Sequence, residues 1–118
     1  MPHIHTIKFL PSAQAIQSVS GYSEQFDKED MDFKELLISL KNTVIQSRFI
    51  SEQDNAHWAV VHGVDYFHNP KLFAQAPLAY VCAFISEMFK NHEIEEISQR
   101  LPKSVLKQAL QRLKSFRH

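Results

Sequence analysis

The sequence predicts an all-α protein, a compact bundle of five to six helices. Apolar side chains recur at helical spacing over most of the chain, whereas Val, Ile and Thr form no series of alternating runs. The 118 residues can bury about two-thirds of their surface, which is enough for one core. We therefore expect a single helical domain over residues 1–118 and no sheet of any size.

The first part of the chain predicts short elements. His3–Leu10 is the one stretch with strand character, so residues 1–10 are expected to form either a strand or an extended arm. Pro11 suits the first turn of a short helix, and Gly21 is expected to end that helix. The segment that follows, up to Asp32, is expected to hold a turn and a group of acids.

The first long amphipathic helix is predicted from Phe33 to about Ile50. Its apolar stripe has members at i, i+4, i+7 and i+11, namely Phe33, Leu37, Leu40 and Val44. A further helix is expected to begin near Ser51, because Asp54 three residues later resembles the acid of a capping box. This helix would run through Val64.

Prolines mark the boundaries of the remaining helices. Asn69-Pro70 is predicted to end one helix and begin the next. Pro77 opens the stretch Leu78–Phe89, which is apolar nearly all round and is therefore expected in the middle of the bundle. After a break at Asn91-His92 and a short apolar stripe, Pro102 opens the last helix. The predicted buried face of that helix is Leu106, Leu110 and Leu113, flanked by Val105, Ala109 and Phe116.

Several short landmarks follow one another along nearly the whole chain. They are Phe9-Leu10-Pro11, Trp58, Asn69-Pro70 with the Leu72–Leu78 run, and the terminal run Ala109–Lys114. Their order resembles a bacterial family known as domain of unknown function 6508. The resemblance implies an all-α fold and no particular activity.

Composition excludes several classes of function. The 13 basic and 13 acidic side chains cancel, which argues against a protein that coats nucleic acid or an anionic membrane. Two glycines leave no room for a Gly-rich phosphate loop. The single cysteine, Cys82, excludes an internal disulfide and fits a reducing compartment. The sequence shows no signal peptide and no stretch that could span a bilayer, so we expect a cytoplasmic protein without membrane contact.

Seven histidines are the unusual feature of the composition. Three candidate metal ligands, spaced i, i+3 and i+6 on one helical face, are His62, Asp65 and His68. His68 adjoins Asn69-Pro70, where the helix should already end, and a partly exposed polar face explains the same residues. No metal or cofactor is therefore assigned, and a divalent-metal site at these residues is kept as an alternative.

No group of residues predicts catalysis. The segment that begins at His92 resembles a zinc-protease motif but has Glu96 where the second histidine is required. Cys82 lies in the most apolar helix, where burial makes a thiol inert. We expect that the protein is not an enzyme.

Charged residues are unevenly distributed along the chain. Six acids lie between Glu24 and Glu35, and no acid follows Glu96. The basic residues of the tail are Arg100, Lys103, Lys107, Arg112, Lys114 and Arg117. A solvated face or an intramolecular match with the acidic segment explains this pattern, and so does contact with nucleic acid or an acidic partner.

The leading hypothesis is a small non-enzymatic protein-interaction module of the immunity, inhibitor or adaptor type. Charge segregation could steer a protein partner, and aromatic side chains at a helix end suit a protein anchor. The residues assigned to partner binding are Lys103, Lys107, Lys114, Arg117, Tyr66 and Phe67. A nucleic-acid-binding regulator that uses residues 100–117 is the alternative. The oligomeric state stays open, a homodimer included.

Overall fold

Helices form in the described part of the chain close to where the apolar spacing predicts them. The structure is a computed structural model, and it describes residues 11–28, 31–50 and 63–116. These residues form six α-helices and two 3₁₀ helices and contain no strand, which confirms the all-α fold class. The predicted strand or arm over residues 1–10, and the predicted helix start at Ser51, lie outside the described residues.

The elements follow one another with short connections. In chain order they are α1 (Ala13–Ser20), the first 3₁₀ helix (Gly21–Asp27), α2 (Phe33–Gln46), α3 (Val64–His68), the second 3₁₀ helix (Pro70–Gln75), α4 (Leu78–Asn91), α5 (Ile94–Arg100) and α6 (Lys103–Lys114). None of the described helices has the length and apolar character that crossing a membrane requires.

Side-chain caps fix where the first two α-helices begin. Ser12 Oγ accepts a hydrogen bond from the backbone N–H of Ala15 at 3.1 Å, so α1 begins after Ser12. The prediction that Pro11 occupies the first turn is wrong, because Ser12 is the cap and Pro11 precedes it. Asp32 caps α2 in the same way. Helix α1 ends at Ser20 with Gly21 as its C-cap, as predicted. The Gly21 backbone stays right-handed at φ −59°, and the chain continues into the first 3₁₀ helix.

Helix α2 ends at Gln46 rather than near Ile50 as predicted. The reason is Arg48, whose backbone is left-handed with φ 60°. The N–H of Phe49 reaches back to the carbonyl of Val44 at 2.9 Å, which closes a Schellman motif. Glycine is the usual residue at this position, so the sequence gives no warning of the stop.

The predicted proline boundaries are confirmed. Asn69 ends α3, and Pro70 begins the second 3₁₀ helix. Pro77 and Pro102 stand immediately before α4 and α6, where a missing N–H costs the helix nothing. The break after Asn91 also lies where the sequence places it.

Helix α6 lies at the centre of the described elements. It packs against α1, both 3₁₀ helices and α4, while α2 packs against α1 and α5. Its buried residues are Val105, Leu106, Ala109, Leu110 and Leu113, which confirms the predicted face apart from Phe116. Phe116 follows the end of the helix and is half-buried. Helix α4 was predicted for the middle of the bundle, and most of its residues are buried, but it packs mainly on α6, which holds the central position among the described elements.

An ion pair joins α2 to α5 at the surface. Lys34 Nζ lies 2.5 Å from Glu95 Oε2. The hydrogen bond to Glu95 raises the pKa of Lys34 and lowers the pKa of Glu95. Both side chains are exposed, so the pair contributes little to the free energy of unfolding.

Candidate functional site

Basic side chains of α6 are engaged within the molecule. Lys114 Nζ lies 2.7 Å from Glu24 Oε1, which joins the basic tail to the acidic segment. Lys103 Nζ lies 5.8 Å from the centroid of the Phe33 ring, within reach of a cation–π contact. Lys107 is half-buried on the same helix and also has an interaction. These contacts agree with the intramolecular match that the sequence left open.

Arg112 of the same tail fixes the end of α6. Its Nε donates a hydrogen bond to the carbonyl of Ala76 at 2.9 Å, and its guanidinium lies 4.5 Å from the centroid of the Phe116 ring. Arg112 therefore holds the segment before α4 against the C-terminal helix. Arg117, the last basic residue assigned to a partner, lies outside the described residues.

The two aromatic residues assigned to a partner have different surroundings. Tyr66 packs its ring against Phe73 at 4.7 Å between centroids and meets Tyr80 edge-on at 6.3 Å. Burial raises the pKa of the Tyr66 hydroxyl. Its neighbour Phe67 faces a cleft instead. The structure thus assigns Tyr66 to an internal aromatic cluster and keeps Phe67 available.

The alternative metal site receives no support from the described residues. Asp65 and His68 are exposed, and His62 lies outside the described residues. Across residues 11–28, 31–50 and 63–116, no three His, Cys, Asp or Glu side chains come together as a metal cluster. Cys82 is 3% exposed, and burial raises the pKa of its thiol to about 12.

A cleft of about 580 Å³ lies between α3, α4 and α5. Its apolar lining consists of Gly63, Val64, Phe67, Phe84, Met88, Ile97 and Leu101. Val64 is 46% exposed and Phe67 and Phe84 are half-buried, whereas the other four residues of this lining are buried. The apolar surface open to solvent is therefore that of Val64 and parts of the two phenylalanine rings. The volume and the apolar lining are typical of binding sites.

Charged and polar groups line the same cleft. Glu87 is only 6% exposed, and Asn91 Nδ2 donates a hydrogen bond to its carboxylate. His92 Nδ1 lies 2.6 Å from Glu96 Oε1, one helical turn along the chain. Arg100, at the end of α5, adds an exposed guanidinium. The cleft therefore combines an apolar floor with groups that could orient an occupant.

Another cleft, of about 510 Å³, lies between α1, the first 3₁₀ helix and α2. Its lining is mostly polar: Ser18, Gly21, Tyr22, Gln25, Lys28, Met31, Asp32, Glu35, Leu36 and Ser39. Tyr22 is already hydrogen-bonded to Thr43 at 2.8 Å, and Asp32 caps α2. The cleft between α3, α4 and α5 is the stronger candidate because it exposes apolar surface.

Most residues of this cleft are not predicted from the sequence to bind a partner. Phe67 is, but the sequence does not indicate that Glu87 and Arg100 belong to the same site. A signal was present on α4, where the residues that line the cleft stand at i, i+3, i+4 and i+7, namely Phe84, Glu87, Met88 and Asn91. A carboxylate within an otherwise apolar helix marks that face.

Comparison with known proteins adds no assignment. No protein-family model matches the chain, and no curated protein or solved structure matches it. The resemblance to the family of domain of unknown function 6508 therefore stays a prediction.

Proposed function

We propose that the protein is a non-enzymatic interaction module that binds an apolar segment of a protein partner in the cleft between α3, α4 and α5. The observation that carries the proposal is the exposed apolar lining, with Val64 and Phe67 at one wall and Phe84 at another. Clustered apolar surface with a polar rim is typical of protein-binding sites.

An immunity, inhibitor or adaptor role fits this chemistry, because such proteins act by binding alone. Burial of the apolar lining would supply the affinity, and the few charged groups would set the orientation. The free, buried thiol of Cys82 fits a reducing compartment, so we propose that the protein acts in the cytoplasm.

Quantitative affinity purification from native-host lysate tests the proposal. The baits are two variants, and in each of them one exposed apolar residue is replaced by glutamate. Val64→Glu places a charge in the cleft, and Leu72→Glu places one outside it. The two side chains are exposed to a similar extent, 46% and 43%, so neither variant should unfold. Each preparation is made with and without nuclease, and the recovered material is compared with that of the wild type, its proteins by mass spectrometry.

The expected result is a stoichiometric protein that the wild type and Leu72→Glu recover and Val64→Glu does not. Circular dichroism of both variants checks that the helical fold is intact. The proposal is wrong if no recovered protein depends on Val64. It is also wrong if the co-purifying material is nucleic acid that nuclease removes.

A further inference from the structure

We draw no further inference here: the strongest candidate, the exposed apolar face of α2 at Ile38 and Ile45, carries nothing because no observation in the described part of the structure shows what covers it.

Discussion

The C-terminal helix and the cleft differ in the burial of their apolar side chains and in the pairing of their charged side chains. On α6 the apolar face is fully covered, and the cations Lys103 and Lys114 contact Phe33 and Glu24. In the cleft, Val64 is exposed and two phenylalanine rings are half-buried, and the Arg100 guanidinium has no partner among the described residues. The helix that the sequence predicted as a binding surface makes contacts within the fold, and the binding surface that we propose is the cleft.

A stripe of cations in a sequence therefore does not show which of them find partners within the folded protein. Lys114 and Glu24 are 90 residues apart, so their ion pair depends on tertiary packing alone. Substitutions on α6 should therefore change stability, whereas substitutions in the cleft should change binding.

The largest effect is expected from Leu110→Ala on the buried face of α6. Leu110 is fully buried, and its truncation leaves a cavity that should lower the free energy of unfolding by about 3 kcal/mol. Leu72 is exposed, so Leu72→Ala should change the free energy of unfolding by less than about 0.5 kcal/mol. Urea denaturation followed by circular dichroism measures both. Equal effects of the two substitutions would contradict the central position of α6.

Cys82 reports whether the core side of α4 is closed. Because burial raises its pKa from 9.0 to about 12, a disulfide reagent at pH 8 should label the folded protein about a hundredfold more slowly than the unfolded protein in urea. Rapid labelling of the folded protein would show that this side is open.

The same burial predicts a dependence of stability on pH. The fold favours the neutral thiol, so its contribution is fully present below the pKa of the unfolded thiol and is lost as the pH rises toward about 12. Between pH 8 and pH 10 the wild type should therefore lose stability faster than Cys82→Ala, which has no thiol to ionise. Urea denaturation of both proteins at each pH measures their free energies of unfolding. An equal change of this free energy with pH in the two proteins would refute the prediction.

Arg112→Ala should have a smaller effect on stability and none on binding. It removes the hydrogen bond to Ala76 and the contact with the Phe116 ring, which together should lower the free energy of unfolding by about 1–2 kcal/mol. Denaturant midpoints measure the loss, with Lys71→Ala as the exposed control. Loss of a partner by folded Arg112→Ala would show that the tail takes part in binding.

The smallest effect should be a gain at the end of α2. Arg48→Gly relieves the left-handed strain of an L-residue, partly offset by the entropy of glycine, and should raise the free energy of unfolding by about 0.5–1 kcal/mol. Arg48→Ala keeps the strain and should show no such gain. Thermal melting of the two variants distinguishes them, and a destabilised Arg48→Gly would mean that the arginine side chain makes the larger contribution.

Local physics made much of the fold predictable. Proline boundaries at Pro70, Pro77 and Pro102 were found because proline lacks the N–H that a helix interior needs. The buried faces of α2 and α6 followed from apolar spacing. The end of α2 was missed, because an arginine occupies the left-handed position of a motif that usually contains glycine.

The candidate site was less predictable, because it is made of three helices that are separate in the sequence. Phe67 was found from its position at a helix end, but its proximity to Phe84 and Arg100 arises only when α3, α4 and α5 pack together. The pairing of Glu96 with His92 could be read from their spacing of four residues. The sequence does not show whether Arg100 is left unpaired in the folded protein.

The most direct test of the account compares the two regions as baits in one affinity purification with nuclease. One bait carries Val64→Glu in the cleft, and the other carries glutamine at Lys103, Lys107 and Lys114. If the cleft binds the partner, a protein partner of the wild type is lost from the cleft variant and retained by the lysine variant. Loss from the lysine variant with retention by Val64→Glu would instead place the binding surface on the C-terminal helix.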